Sequence, residues 1–470
     1  MTFEELNRKS ILILGFGTEG QATYEFLRRK WPSKPLFIAD QRTEGEFPAE
    51  VVQRLQRDPG AALRFGPNYL DALDPKKCEV IIKTPGIPSS IGPIAKARGA
   101  GCVLTSHSQI FLSNYPREKI VGVTGTKGKS TTASLIYHIL KRAGVPAELA
   151  GNIGQPPLAK LGDAAGDRYF VHEFSSHQLA EAESSPHIAV LLNIVPEHLD
   201  YYAGFDEYVA AKERITRFQD ADDFLVFNND FPIPRAIAGR TKAGLRPFSL
   251  ASRVSPGCYL RGESIVLSGS DGDADVLGIH QIPLAGRFNI QNVMAAIAAA
   301  CLCGVDPKAI RELVKEFRAL PHRLELVGTY CGVTFYDDSI ATVPDAALAA
   351  LEALGGNVQT LMLGGHERNL DFSELGARLP ANIKTVILFP PTGERIWDAI
   401  RLHSKNPETP EALFVTGMGQ AVAIAYERTE EGKICLLSPA SPSFGMFKDY
   451  KERGESFQAF VRMLSNSAGI

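Results

Sequence analysis

Residues 121–132 read VGVTGTKGKSTT. An apolar run, Lys119 to Val123, enters a turn with glycines at Gly125 and Gly128, and Lys129, Ser130 and Thr131 then open a helix. Glycine lets backbone curl closely around oxyanions, and the free N–H groups of a helix start point at them, which makes a phosphate cradle. In that setting Thr126 and Lys127 complete the turn, Lys129 supplies a point charge for β and γ phosphates, and a hydroxyl at Ser130 or Thr131 ligates Mg²⁺. The spacing departs from the general GxxxxGK[ST] pattern, which needs glycine at Val123, whereas the glycines fall at Gly122 and Gly125. A glycine-rich turn with no ligand is the alternative, and Lys-Ser-Thr directly after Gly128 argues against it.

A second glycine motif, Gly15-Phe16-Gly17-Thr18-Glu19-Gly20, lies between the run SILIL and the helical stretch QATYEFLRRK. PLFIAD then ends in Asp40, where a ribose-binding carboxylate sits in a dinucleotide fold. The same geometry receives any nucleotide diphosphate, so a nicotinamide-dependent dehydrogenase stays open as an alternative at this point. Further along, Glu173 closes the strand-like FVHEF, and a carboxylate at a strand's C-terminal edge beside a phosphate loop suits Mg²⁺. His198 and Asp200 follow another apolar run, and Lys212 lies in the helical FDEYVAAKERI, where a solvated lysine is the default. Arg323 and Asp338 flank a strand near a domain junction, and an arginine brought to a triphosphate neutralises charge that develops in phosphoryl transfer.

These residues need strands and helices to carry them. Apolar runs (SILILGFG, PLFIAD, EVIIKTPG, KIVGVTG, RYFVHEF, IAVLLNIV, FLVFNN, TLMLGG, TVILFP, KICLLSPA) alternate with helical stretches along most of the chain, which predicts α/β architecture with parallel sheets. At 470 residues one core is too few. Breaks near Pro116 and Pro321 divide the chain into blocks 1–113, 114–320 and 321–470, and a Gly/Ser/Asp-rich stretch from Ser249 to Gly278 reads as a β-rich insertion. The formal net charge of -3, with both signs interspersed, offers no surface for nucleic acid. Seven cysteines without a CxxC pair, a polar N-terminus and the lack of a bilayer-length apolar run predict a cytoplasmic protein with reduced thiols.

Taken in order, TGTKGKST, GNIG, EFSSHQL, NIVPEHLD, YVAAKERI, AGRFNIQN, LPHRLE, DDSIAT and LSPASPSF resemble the motifs of the Mur ligases, the ATP-dependent amino-acid ligases of peptidoglycan precursor synthesis. The first block and the chain length most resemble the branch that adds glutamate to UDP-N-acetylmuramoyl-L-alanine. The resemblance implies a Rossmann-like first domain for the UDP-sugar, a central ATP-binding domain and a Rossmann-like C-terminal domain for the amino acid. It makes Gly125 to Thr131 the ATP loop, puts Ser130, Glu173 and His198 on two Mg²⁺ ions, and makes Lys212 a carbamate that supports the second ion. Lys129, Lys212 and His198 are then the catalytic set. Asn292, Arg323 and Asp338 would contact the nucleotide, and Gly17, Thr18, Asp40, Arg42 and Asn152 the UDP-sugar. A monomer is expected.

The amino-acid pocket implied by the resemblance comprises Thr342, Arg368, Ser443, Phe444 and Tyr450, and it departs from the family pattern. Ile340 follows Asp338-Ser339 where lysine is typical, Arg368 stands for a lysine, Tyr450 for a phenylalanine, and Glu19 for an uncharged residue. These changes leave the ATP residues untouched. D-glutamate is the expected substrate, with L-glutamate on the same acceptor as the alternative.

Overall fold

A computed structural model describes residues 1–161, 166–197, 201–270, 272–404 and 409–467. Strands β1 (Ile11–Leu14), β2 (Leu36–Asp40), β3 (Ala61–Phe65), β4 (Val80–Lys83) and β5 (Val103–Thr105) form a parallel sheet in the order β3-β2-β1-β4-β5. Its centre is β1, buried at every residue, as an apolar run between two parallel neighbours must be.

The second sheet holds nine strands: β6 (Ile120–Thr124), β7 (Ala147–Gly151), β8 (Tyr169–Glu173), β9 (Ile188–Leu191), β10 (Phe224–Asn228), β11 (Gly244–Ser249), β12 (Gly257–Arg261), β13 (Ser264–Gly269) and β14 (Gly272–Gly278). Their order is β14-β13-β12-β11-β10-β9-β6-β8-β7. The strands from β7 to β12 run parallel, and β13 and β14 fold back antiparallel, so the expected β-rich insertion is an extension of this sheet's edge. The chain leaves β6, reaches the far edge at β7, returns to β8, and then crosses to β9 on the other side of β6. That reversal places the end of β6 at the topological switch point, where doubly wound sheets take ligands.

The third sheet, β15 (Glu325–Tyr330), β16 (Val333–Asp337), β17 (Val358–Gly364), β18 (Thr385–Phe389), β19 (Glu411–Phe414) and β20 (Ile434–Leu437), has the order β15-β16-β20-β17-β18-β19. Only β15 pairs antiparallel. Apolar faces of the helices cover the sheets; the helix Lys129–Arg142, for example, buries Leu135, Ile136, Ile139 and Leu140. The α/β class with three mainly parallel sheets is the one expected from sequence.

Compactness separates two units, Met1–Gln281 with Gln291–Lys315, and Ile282–Ile290 with Glu316–Ile470. Within the first, one hydrophobic cluster joins residues of the first sheet, such as Phe16 and Ile38, to Phe111, Phe170 and Phe174. His107 pins the same junction: Leu158 N–H donates to its Nε2 (3.1 Å), which leaves Nδ1 to donate to Thr23 Oγ1 (2.8 Å). Among the described residues no helix is long and apolar enough to cross a membrane.

Candidate active site

The turn after β6 has the backbone the glycines predict. Gly125 (φ 154°) and Gly128 (φ 86°) occupy conformations that side chains rarely adopt, and a Cβ on Gly128 would lie 2.3 Å from Asn292 Oδ1. Gly128 caps the helix Lys129–Arg142, whose first turn carries Ser130, half-buried, and Thr131, buried. Asn292 is held there by Thr132 Oγ1 (3.3 Å), so this expected nucleotide residue does meet the loop. Thr126 is fixed by Asn193 O, Val195 and Tyr208 Oη, and the exposed Lys127 pairs with Glu197 at 2.7 Å.

Two lysines converge on this turn. Lys129 Nζ donates to Gly125 O (3.1 Å) and Thr126 O (2.8 Å), and Lys212 Nζ donates to the same Gly125 O (2.7 Å). Lys212 is 1% exposed on the helix Phe205–Arg217, its ammonium position 4.7 Å from the Tyr208 ring centre. Burial above all, and then the neighbouring Lys129 charge, pull the Lys212 amine down to about 6, against Glu197 and Glu173. The solvated helix lysine that sequence makes the default is therefore corrected: this lysine is buried beside the glycine turn.

Glu173 ends β8, in register with Val123 of β6, and is also 1% exposed. Its Oε1 accepts from Asn152 Nδ2 (3.0 Å), while Oε2 is buried with no hydrogen-bond partner. An unsatisfied buried carboxylate oxygen is costly, and a cation is the natural occupant beside it. The donor set thus fits Mg²⁺. Asn152, expected on the sugar nucleotide, stands at this carboxylate. His198 lies outside the described residues.

At the first glycine motif, Gly15 (φ 90°) would carry a Cβ 2.0 Å from Thr84 Oγ1. Asp40 closes this turn by accepting from Phe16 N–H, and it holds Arg42 through N–H (2.8 Å) and Nε (3.1 Å). Burial works to raise its carboxyl, but Arg42 and the two backbone N–H groups outweigh that and leave it below the usual range. Gly15, Asp40, Arg42, Tyr69, Thr84 and Ile87 are among the residues that line a cavity of about 510 Å³. Gly17 caps the helix Thr18–Lys30 and Thr18 opens it, exposed, outside the lining of that cavity. Thr84 and Tyr69 were not singled out by sequence, since neither belongs to a glycine motif. Glu19 accepts from Gln178 Nε2 (2.6 Å) and is raised by burial.

In the second unit, Arg323 is half-buried and Asp338 buried. Asp338 accepts from Leu324 N–H (3.1 Å) and Ser438 Oγ (2.8 Å), and burial nevertheless pushes it up to about 7. Of the amino-acid set, Ser443 is buried, Phe444 half exposed against His366, Arg368 exposed and Thr342 half-buried. Tyr450 opens the helix Tyr450–Ser467, and its carbonyl accepts from Ser339 Oγ (2.8 Å). Two groups here escaped sequence reasoning. Arg453, 1% exposed, donates to Ser339 Oγ, Ser339 O and Ser441 O, and so ties the DDS loop to the SPASPS loop. His322, beside Arg323 in LPHRLE, bonds Asp337 (2.8 Å), and Gln458 Nε2 donates to both Asp337 and Glu325 (2.9 Å each), so this trio is a hydrogen-bonded knot.

Residues 123–300 match the model of the Mur ligase middle domain, and residues 322–441 that of the Mur ligase glutamate ligase domain. The chain is 33% identical over 466 residues to the UDP-N-acetylmuramoylalanine-D-glutamate ligase of Acetivibrio thermocellus, covering 98% of both chains. It is 35% identical over 457 residues to the enzyme of the same name from Symbiobacterium thermophilum, covering 96% of this chain and 98% of that one. Among solved structures, UDP-N-acetylmuramate-alanine ligase MurC of Thermotoga maritima shares the fold at TM-score 0.57 and 19% identity, over 98% of this chain and 100% of that one. MurF ligase of the same organism, in complex with ADP, does so at 0.57 and 18%, over 98% and 95%. The dehydrogenase alternative for the first glycine motif gains nothing from these matches and is set aside.

Proposed function

The chain belongs to the Mur ligase family, and from that premise we propose that it is an ATP-dependent ligase adding glutamate, D-glutamate first, to UDP-N-acetylmuramoyl-L-alanine. Residues 1–113 would take the sugar nucleotide, 114–320 ATP and 321–470 the amino acid. The acceptor carboxylate attacks the γ phosphorus of ATP, giving an acyl phosphate and ADP. The glutamate amine then attacks the acyl carbon, and phosphate leaves as the amide forms. The observation that carries this reading is the convergence of Lys129, Lys212 and the unsatisfied Glu173 oxygen around one glycine turn at the sheet's switch point.

Backbone N–H groups of Gly125 to Thr131 bind the phosphates, and Lys129, held at the turn by two carbonyls, meets the charge that develops as the γ phosphoryl group transfers. Mg²⁺, held by Glu173 with Ser130, His198 and a Lys212 carbamate, would supply further charge neutralisation. Lys212 suits carbamate formation because its amine is buried and biased to the neutral form, which is the nucleophile toward CO₂. Asp40 and Arg42 orient the uridine nucleotide at the 510 Å³ cavity, and Asn152 holds the sugar end toward Glu173. Asn292, Arg323 and Asp338 are assigned to the nucleotide, and Thr342, Arg368, Ser443, Phe444 and Tyr450 to glutamate. The chain's cationic Arg368 answers a carboxylate with a planar fork where lysine offers a point charge.

L-glutamate on the same acceptor remains the second reading, favoured by Ile340 in place of lysine. Phosphate release from ATP and UDP-N-acetylmuramoyl-L-alanine, with D-glutamate, L-glutamate or no amino acid, decides. Release that depends on D-glutamate supports the first reading, dependence on L-glutamate the second, and no acceptor-dependent release rejects both.

A further inference from the structure

Three residues that line the 510 Å³ cavity, Thr84, Gly86 and Ile87, belong to the loop that follows β4. That loop is tightly wound: Thr84 N–H donates to Leu14 O (2.9 Å), which continues the β1–β4 pairing, and Ile87 N–H donates back to Thr84 O (3.2 Å). Lys83 is the last residue of β4 and is 2% exposed. Its Nζ donates to Ile87 O (2.6 Å) and to Thr84 O (3.3 Å), and Glu181 Oε1 lies 3.5 Å away. An ammonium has three N–H donors, and three acceptors meet this one. Burial lowers the amine, against the charge of Glu181 and then of Glu19, the acidic departure in the first glycine motif. No part of the reaction above uses Lys83.

Burying a lysine is costly unless its N–H groups are met and a counter-charge is near, and both conditions hold here. The two carbonyls set the curvature of the loop. Glu181 comes from a distant part of the chain, just past the helix Ser176–Leu179 that follows β8. The ammonium therefore joins the wall of the cavity to the stretch after the strand that ends in Glu173. On the premise, taken from the proposed function, that the cavity receives the uridine nucleotide, we propose that Lys83 is a positioning residue for that substrate: it holds the Thr84–Ile87 wall in the receiving shape, and Glu181 anchors that wall to the stretch after β8. Without the ammonium, Thr84, Gly86 and Ile87 must be ordered by the ligand as it binds, and that ordering comes out of its affinity.

UDP is titrated calorimetrically into the full chain with excess ADP and Mg²⁺ present, so that the turn after β6 does not contribute, and ADP with Mg²⁺ is titrated separately. Lys83→Met keeps most of the side chain's length and loses the ammonium. Glu181→Gln keeps the shape and loses the counter-charge at a side chain 21% exposed, which leaves a folded variant to measure if Lys83→Met unfolds. UDP is expected to bind about tenfold or more weakly to Lys83→Met and about threefold or more weakly to Glu181→Gln, with ADP affinity within about twofold of wild type in both. Unchanged UDP affinity in either folded variant overturns the proposal, and so does an equal loss of UDP and ADP affinity, the mark of a generally loosened fold. A wild type that binds ADP and not UDP removes the premise and the proposal with it, and that failure is told apart from the others because it is seen before any substitution.

Discussion

Replacing Lys212 by alanine separates a buried structural lysine from a carbamate carrier. The amine sits at about 6. At pH 7.5 such an amine is neutral roughly thirty times more often than charged, whereas a lysine with the ordinary value near 10.4 is neutral about once in a thousand. The buried amine therefore offers about a thousandfold more nucleophile to CO₂. Lys212→Ala should lower turnover by about 10²-fold or more, and acetate or formate, small enough to enter the space left behind, should restore part of it. Because truncation of a buried side chain also costs about 2–4 kcal/mol of stability, melting must be followed beside phosphate release. A kinetic signature follows from the protonation state. When CO₂-stripped enzyme is returned to a fixed CO₂ pressure, the rate of reactivation should be nearly level from pH 7 to 9, since the amine is already neutral there. A lysine of ordinary basicity would speed up about tenfold per pH unit. Full activity in Lys212→Ala, or no dependence of reactivation on CO₂, refutes the carbamate, and a tenfold rise per unit in wild type refutes the lowered basicity of the buried amine.

Gly128→Ala sets a Cβ 2.3 Å from Asn292 Oδ1 at φ 86°, and should lower kcat/KM for ATP about tenfold or more, read by phosphate release; an unchanged value would remove Asn292 and this turn from the nucleotide site. Glu173→Gln keeps the bond from Asn152 within reach but loses the charge, so the Mg²⁺ concentration for half-maximal activity should rise about tenfold, and an unmoved Mg²⁺ titration would free Glu173 of that role. His107 is lowered by burial to about 3, below its unfolded value near 6.5, so the unfolded chain takes up the proton first. Its contribution is complete above about pH 6.5 and is lost as pH falls toward 3, by about 1.4 kcal/mol per unit, and denaturant midpoints at pH 7 and 5 should differ less in His107→Gln than in wild type. Lys129→Ala should abolish ATP turnover, and retained turnover would contradict the phosphate-loop assignment.

The strands legible in the sequence are the ones with neighbours on both sides. β1, β4, β6, β8, β9, β10, β17, β18 and β20 are almost wholly buried, so composition alone marks them. The edge strands β3, β7 and β19 are only partly buried, and their sequences, AALRF, AELAG and EALF, resemble loops or helix ends. The phosphate loop and Glu173 were legible because a short motif and a strand terminus position them. The burial of Lys212, and the knots around Arg453, His322 and His107, depend on residues 15 to 121 positions away, and no local pattern announces them.

In the nine-stranded sheet the glycine turn proposed to bind phosphate hangs from β6, well inside, while β12 to β14 form an outlying flap of backbone. The hairpin tip between β12 and β13, Gly262 and Glu263, is exposed and has Gly262 at φ 60°. That arrangement gives the molecule a handle: a fluorescent reporter or affinity peptide spliced in at this tip would ride on the periphery, remote in connectivity from the chemistry. Lengthening or recolouring the flap then becomes a route to follow the enzyme without disturbing β6.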